Sequence, residues 1–134
     1  MNLAVFADGA SRGNPGPASI GASVQDDSGN ELTSVSQTIG QATNNVAEYR
    51  AAIAGVHAAH QLGATSIDLR LDSELIVRQL AGRYKVKNAA LQPLFIALVE
   101  ALEAVGPYTV GHIPRKKNAR ADALANAALD QAQR

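Results

Sequence analysis

Cysteine is absent from this chain, and so is tryptophan. Without a thiol there is no disulfide framework, no Cys-ligated zinc or iron–sulfur site and no cysteine nucleophile. No apolar run approaches the roughly 18 residues that a membrane span needs, so no membrane partner is expected. The apolar start, Met1 to Ala7, reaches Asp8 too soon for a secretory signal and has no basic flank. The expected location is the cytoplasm. Net charge is missing as well: 12 Lys and Arg balance 12 Asp and Glu. That excludes a protein coated in positive charge, although a local basic face stays open. Aromatics make up only 4% of the residues, so the core must be built from something smaller.

Alanine fills the gap, at 26 of 134 positions, and implies helices that pack closely through small faces. The length is that of one domain, residues 1–134, with no repeat, low-complexity tract or linker. Leu3 to Ala7 reads as a buried strand ending at Asp8, followed by a dense turn signal from Gly9 to Pro17. Ser19 to Gln25 and Glu31 to Ile39 read as the next two strands of an antiparallel meander, joined by a hairpin turn. The period then changes. Thr43 to Leu62 carries Val46, Tyr49, Ile53 and Val56 at helical spacing, with a narrower stripe of Ala52, Gly55 and Ala59 beside them. Thr43 or Asn44 is the expected cap, and Gly63 the stop. Ser66 to Leu71 reads as a fourth strand, Ser73 to Leu80 and Leu91 to Ala104 as helices, Tyr108 to Ile113 as a fifth strand, and Asn118 to Gln131 as a last helix. The order predicts an α/β fold: a five-stranded mixed sheet, an antiparallel 1-2-3 meander plus parallel strands 4 and 5, flanked by helices.

Four carboxylates stand apart from the solvated ones. Asp8 and Asp72 each follow a predicted strand directly, and strand carboxyl ends are where sites form in such sheets. Glu48 and Asp122 lie in the first turns of helices, among alanines. Singly, a helix-start acid only complements the macrodipole, and a strand-end Asp is a turn residue. If the strands bearing Asp8 and Asp72 are neighbours, the four converge. Gathered in a partly buried place they would repel one another unless a cation held them. An all-oxygen set favours a hard ion, Mg²⁺ or Mn²⁺. Two such ions about 4 Å apart suit phosphodiester hydrolysis.

The run Asp8-Gly9-Ala10-Ser11-Arg12-Gly13-Asn14-Pro15-Gly16-Pro17-Ala18 resembles the opening motif of type 1 ribonuclease H. Thr43-Asn44-Asn45-Val46-Ala47-Glu48 resembles the start of that family's first helix. Asp72-Ser73-Glu74-Leu75 resembles its fourth-strand Asp-Ser step, and Asn118-Ala119-Arg120-Ala121-Asp122-Ala123-Leu124-Ala125 its last-helix aspartate. Order and spacing agree over essentially the whole chain. The resemblance implies the ribonuclease H fold in a single domain. It also implies hydrolysis of the RNA strand of RNA–DNA hybrids, leaving 3′-hydroxyl and 5′-phosphate ends. Asp8, Glu48, Asp72 and Asp122 match the metal-binding and catalytic quartet for two Mg²⁺ ions, with Mn²⁺ as substitute. Asp8 would bridge both ions, Glu48 and Asp72 would hold one, and Asp122 would complete the other. Asn14, Asn44 and Asn45 match positions that contact the hybrid, and Thr43 one that seats a DNA phosphate. Helix capping competes as the role of Asn44 and Asn45.

Net neutrality hides a skew. Between Arg78 and Arg120 there are eight Lys and Arg against two acids. Arg83-Tyr84-Lys85-Val86-Lys87 alternates base with apolar or aromatic residues, a pattern for binding phosphates along one face through Arg83, Lys85 and Lys87. The stretch from Leu80 to Leu91 is short, resembling compact family members that lack a long basic protrusion. Modest hybrid affinity is then expected, and double-stranded RNA becomes a second candidate substrate. His112 lies ten residues before Asp122, where many family members carry a loop histidine assisting catalysis, but Ile113-Pro114 follows it as at a strand end. Arg115 could substitute by neutralising phosphate charge. The chain is expected to be a monomer. The alternative from another class is a catalytically silent relative that binds nucleic acid or a protein, which would be expected to have lost at least one of the four acids.

Overall fold

The computed structural model describes residues 1–82 and 85–133. In chain order these form β1 (Asn2–Ser11), β2 (Gly16–Gln25), β3 (Glu31–Ala42), α1 (Asn44–Gln61), β4 (Ser66–Leu71), α2 (Glu74–Leu80), α3 (Gln92–Val105), β5 (Tyr108–His112), a 3₁₀ turn (Arg115–Asn118) and α4 (Ala119–Ala132). The strand order is β3-β2-β1-β4-β5, antiparallel within the first three and parallel from β1 to β4 and from β4 to β5. The expected mixed sheet is therefore present. Among the described residues no helix is long and apolar enough to cross a membrane.

One boundary differs in a way that matters for the site. The strand expected to stop at Ala7 runs on to Ser11, so Asp8 lies inside β1 rather than at its end. The glycine-rich run enters the ladder because Asp8, Gly9, Ala10 and Ser11 pair with Gly21, Ile20, Ser19 and Ala18 of β2. Pairing with β4, by contrast, stops at Ala7 and Leu71. Asp8 therefore marks where the parallel half of the sheet ends, and Asp72 leaves the neighbouring strand at the same level.

Thr43 caps α1, its hydroxyl oxygen accepting from Val46 N at 3.2 Å, and Ser73 caps α2 in the same way. The buried face of α1 is the narrow one: Ala47, Ala51, Ala52, Gly55 and Ala59 are buried with Glu48, Tyr49 and Val56. Val46 and Ile53, expected in the main stripe, are only partly covered. Small side chains let the helix lie close on the sheet, while Tyr49 and Val56 of the expected main stripe are buried beside them. The Tyr49 hydroxyl donates to Gln79 Oε1 in the interior, tying α1 to α2.

On the other face α4 approaches β2 at backbone distance. A Cβ on Gly21 would stand 2.2 Å from Ala121 O and 2.5 Å from Ala125 N. Ser19 and Ser36 donate to the carbonyls of Ala125 and Leu124 at 2.5 and 2.6 Å. Ala22 meets α1, where a Cβ on Gly55 would lie 3.1 Å from its Cβ. Gly21 and Ala22 are consecutive and so point to opposite faces, which places α1 and α4 on either side of one strand. Gly21→Ala is expected to cost about 1–3 kcal/mol through overpacking. Gly111→Ala, where a Cβ would meet nothing within 4 Å, should stay within about 0.5 kcal/mol. Chemical denaturation of the two variants checks the contrast.

Candidate active site

Four elements deliver the four acids to one place. β1 and β4 bring Asp8 and Asp72 together through their parallel register. α1 brings Glu48, because its first turns press on β1 where only glycine fits: a Cβ on Gly9 would lie 2.3 Å from Ala47 C and 2.4 Å from Glu48 N. Gly9 N donates to Glu48 Oε1 at 3.3 Å. α4 brings Asp122 from the opposite face. A cavity of about 460 Å³ is lined by all four, together with Arg12, Asn44, Asn45, Ser73, Arg115 and Asn126.

Asp8, Glu48 and Asp72 each offer a carboxylate oxygen, all three within 4.8 Å of one another. Asp8 and Glu48 are each only 5% exposed. Burial pushes the Asp8 carboxyl up to about 7 despite a hydrogen bond from the Glu48 side that lowers it, and the charges of Asp72 and Asp122 add to the rise. Burial likewise raises Glu48, with the Asp8 and Asp72 charges pushing the same way. Among the described residues the ion pairs are Arg12–Asp130, Arg70–Asp68, Arg78–Glu74 and Arg120–Glu31, and none includes the four acids. Glu48 Oε2 is buried with no hydrogen-bond partner. An oxygen-only donor set, crowded, in none of the described ion pairs and holding an orphaned carboxylate oxygen, fits a hard divalent cation.

Two carboxamides face the acids, and neither was among the expected site residues. Asn118, 1% exposed, donates from Nδ2 to Ala7 O at 2.9 Å and to Asp72 Oδ2 at 3.2 Å. Asn126 Nδ2 donates to Asp122 O at 3.0 Å and Oδ1 at 3.2 Å. Their spacing from Asp122, four residues on either side, was a helical signal available in the sequence. Arg12, also unexpected, lines the cavity while pairing with Asp130 at 2.6 Å.

The expected substrate contacts divide. Asn44 and Asn45 are exposed on the cavity rim, and Thr43, not they, provides the side-chain cap. Asn14 Oδ1 accepts from Asn44 N at 3.0 Å, joining the turn after β1 to the start of α1. Arg115 lines the cavity. His112 ends β5 beside Leu71 and is exposed, away from the described cavity wall. Lys85 and Lys87 are exposed on either side of Val86, which packs on the core. Arg83 lies outside the described residues.

Comparison with known proteins agrees with this layout. Residues 6–128 match the model of a family described as reverse transcriptase-like. A crystal structure of RNase H1 from the archaeon Halobacterium salinarum superposes with a TM-score of 0.95 at 42% identity, covering 98% of this chain and 99% of that one. This chain belongs to the type 1 ribonuclease H family. LC11-RNase H1, solved in complex with an RNA/DNA hybrid, gives a TM-score of 0.93 at 43% identity, with 98% and 99% covered. A bifunctional protein of Mycobacterium tuberculosis is 45% identical over 133 residues, 98% of this chain but 36% of that protein. The curated ribonuclease HI of Halobacterium salinarum is 44% identical over 127 residues, 95% of this chain and 64% of that protein. The chain thus spans about a third and about two thirds of the length of these two curated relatives.

The raised carboxyls set a pH dependence for this ribonuclease H domain. A folded-state value raised above the ordinary 3.8 of Asp8 contributes stability fully present below about pH 4 and lost as pH climbs through about 7. Glu48, raised in the same direction, prolongs the loss further upward. In chelator, the melting temperature should therefore fall from pH 5 to pH 8. Asp8→Asn should flatten the decline and raise the melting temperature at pH 8 by several degrees. Calorimetric scans of both proteins across that range provide the check.

Proposed function

We propose that this chain is a metal-dependent endoribonuclease that cuts the RNA strand of RNA–DNA hybrids, leaving 3′-hydroxyl and 5′-phosphate ends. The observation that carries the reading is the unpaired carboxylate cluster, with its orphaned Glu48 oxygen, beside a rim of exposed carboxamides. The hybrid bound by LC11-RNase H1 supports the same substrate. Residues 1–134 act as one domain, as a monomer.

Asp8, Glu48, Asp72 and Asp122 would hold two Mg²⁺ ions, with Mn²⁺ as a substitute. When bound, such ions supply an activated water and stabilise the charge on the leaving oxygen. Positioning the scissile phosphate over the acids is the work of the rim. Asn14, Asn44 and Asn45 can donate and accept without adding charge, which suits recognition of the 2′-hydroxyl that separates RNA from DNA. The Asn14 carbonyl is occupied by Asn44 N, so its amide hydrogens are what it can offer. Thr43 uses a lone pair to cap α1 and keeps its hydroxyl proton for a DNA phosphate. Arg115 offsets phosphate charge from the cavity wall, and any part played by His112 is exerted from outside it. Lys85 and Lys87, with Arg83, attract the backbone farther along the duplex.

Cleavage of a strand-labelled hybrid by the wild type and by Asp8→Asn, each with Mg²⁺, Mn²⁺ or chelator, tests the proposal. Expected is metal-dependent cutting of the RNA strand alone, reduced by Asp8→Asn about 10²–10³-fold or more, equivalent to several kcal/mol of lost charge stabilisation. Equal activity of the two proteins discards the mechanism, and binding without cutting favours the silent relative. Double-stranded RNA in a parallel assay decides whether it is also a substrate. Replacing Lys85 and Lys87 with Gln should raise KM and flatten its salt dependence with kcat nearly unchanged, whereas a loss confined to kcat contradicts phosphate contact.

A further inference from the structure

Asn118, Asp122, Asn126 and Asp130 recur every fourth residue through the 3₁₀ turn and α4, so they form one stripe along the helix. The stripe faces β1 and the turn that follows it. Asn118 bonds Ala7 and Asp72, Asp122 sits against Asp8, and Asp130 holds Arg12. Asn126 is the member that packing does not explain. α4 buries Ala121, Leu124, Ala125, Ala128 and Leu129, and Asn126 stands off that face, half-buried at the cavity wall.

We propose that Asn126 is a positioning residue that holds the Asp122 carboxylate against Asp8 and thereby sets the affinity of the acidic site for its divalent cation. The inference rests on the metal-site reading above and adds to it a residue that touches only the ligand. Its amide grips Asp122 twice, at the backbone carbonyl and at Oδ1. The first bond anchors the donor to the helix, and the second then restrains rotation of the aspartate side chain. Without it, Asp122, only partly buried, faces carboxylates that repel it, and repulsion would favour rotamers turned to solvent. A carboxamide suits the task better than a cation would. Lys or Arg in its place would neutralise the cluster and compete with the metal, whereas an amide restrains a carboxylate and leaves its charge intact. Metal-ligating carboxylates depend on outer hydrogen bonds of this kind.

The test uses Asn126→Ala, Asp122→Ala and the double variant. Alanine is the better helix former, so α4 should persist, and far-UV circular dichroism verifies it. Mn²⁺ binding to each protein, without nucleic acid, is measured by electron paramagnetic resonance of the free ion. Hybrid cleavage is measured alongside as a function of Mg²⁺. Asn126→Ala is expected to weaken Mn²⁺ binding about 10-fold and to raise the half-saturating Mg²⁺ concentration comparably, with KM for the hybrid unchanged. In the Asp122→Ala background the same substitution should add nothing. Wild-type Mn²⁺ affinity in Asn126→Ala overturns the proposal, as does an undiminished loss in the Asp122→Ala background or a change confined to KM. The two readings fail separately. A wild type that binds Mn²⁺ but cuts no hybrid refutes the nuclease assignment while the binding data still judge Asn126. A wild type that cuts, beside an Asn126→Ala protein of equal Mn²⁺ affinity, refutes only the positioning role.

Discussion

Carboxylates held side by side and away from water oppose their own ionisation. Asp8 and Glu48 are both almost wholly buried, and both carboxyls are pushed well above the ordinary range by that burial and by their neighbours. The surroundings do little to relieve them. Gly9 N and the amides of Asn118 and Asn126 donate hydrogen bonds to the cluster, yet the nearby guanidinium of Arg12 is engaged by Asp130. The fold concentrates negative charge and orients it with neutral donors, so the remaining demand is for a cation from solution.

Convergence of this kind depends on how closely helices can approach the sheet. Glu48 reaches Asp8 because α1 touches β1 at Gly9, and Asp122 reaches it from the other face because α4 touches β2 at Gly21. Larger residues at those points would lift each helix away, and the carboxylates, on short side chains, would no longer meet. The shortage of aromatics and the abundance of alanine express the same requirement. A core filled by small side chains lets backbones approach closely, and serines at 19 and 36 bond helix carbonyls that a bulkier layer would have covered.

The elements were legible because each carries its own local chemistry. Thr43 and Ser73 cap, Gly63 stops α1, and β4 alternates cleanly from Ser66 to Leu71 before Asp72. Local signals misled where pairing or packing overrode them. Gly9, Ala10 and Ser11 read as a turn yet lie in a strand, since β2 offers them partners. Of the expected α1 stripe, Tyr49 and Val56 are buried, but Val46 and Ile53 lie less deep than the alanine side, since closeness to the sheet decides burial. Asn118 drew notice only as the start of a helix and of the last-helix motif, although it joins β1, Asp72 and α4 in the interior.

The amino-acid order by itself determined the kinds of element and their succession, the all-oxygen chemistry available to the four acids, and membership of a family whose motifs it carries in sequence. Those follow from spacing and residue type, which are one-dimensional properties. Tertiary structure alone decided that β1 and β4 are neighbours, that the acids share one cavity, that Arg115 faces it while His112 does not, and that two asparagines brace the carboxylates. Such facts depend on strand register and interhelical distance, set by contacts between residues up to 121 positions apart, and no local pattern records them.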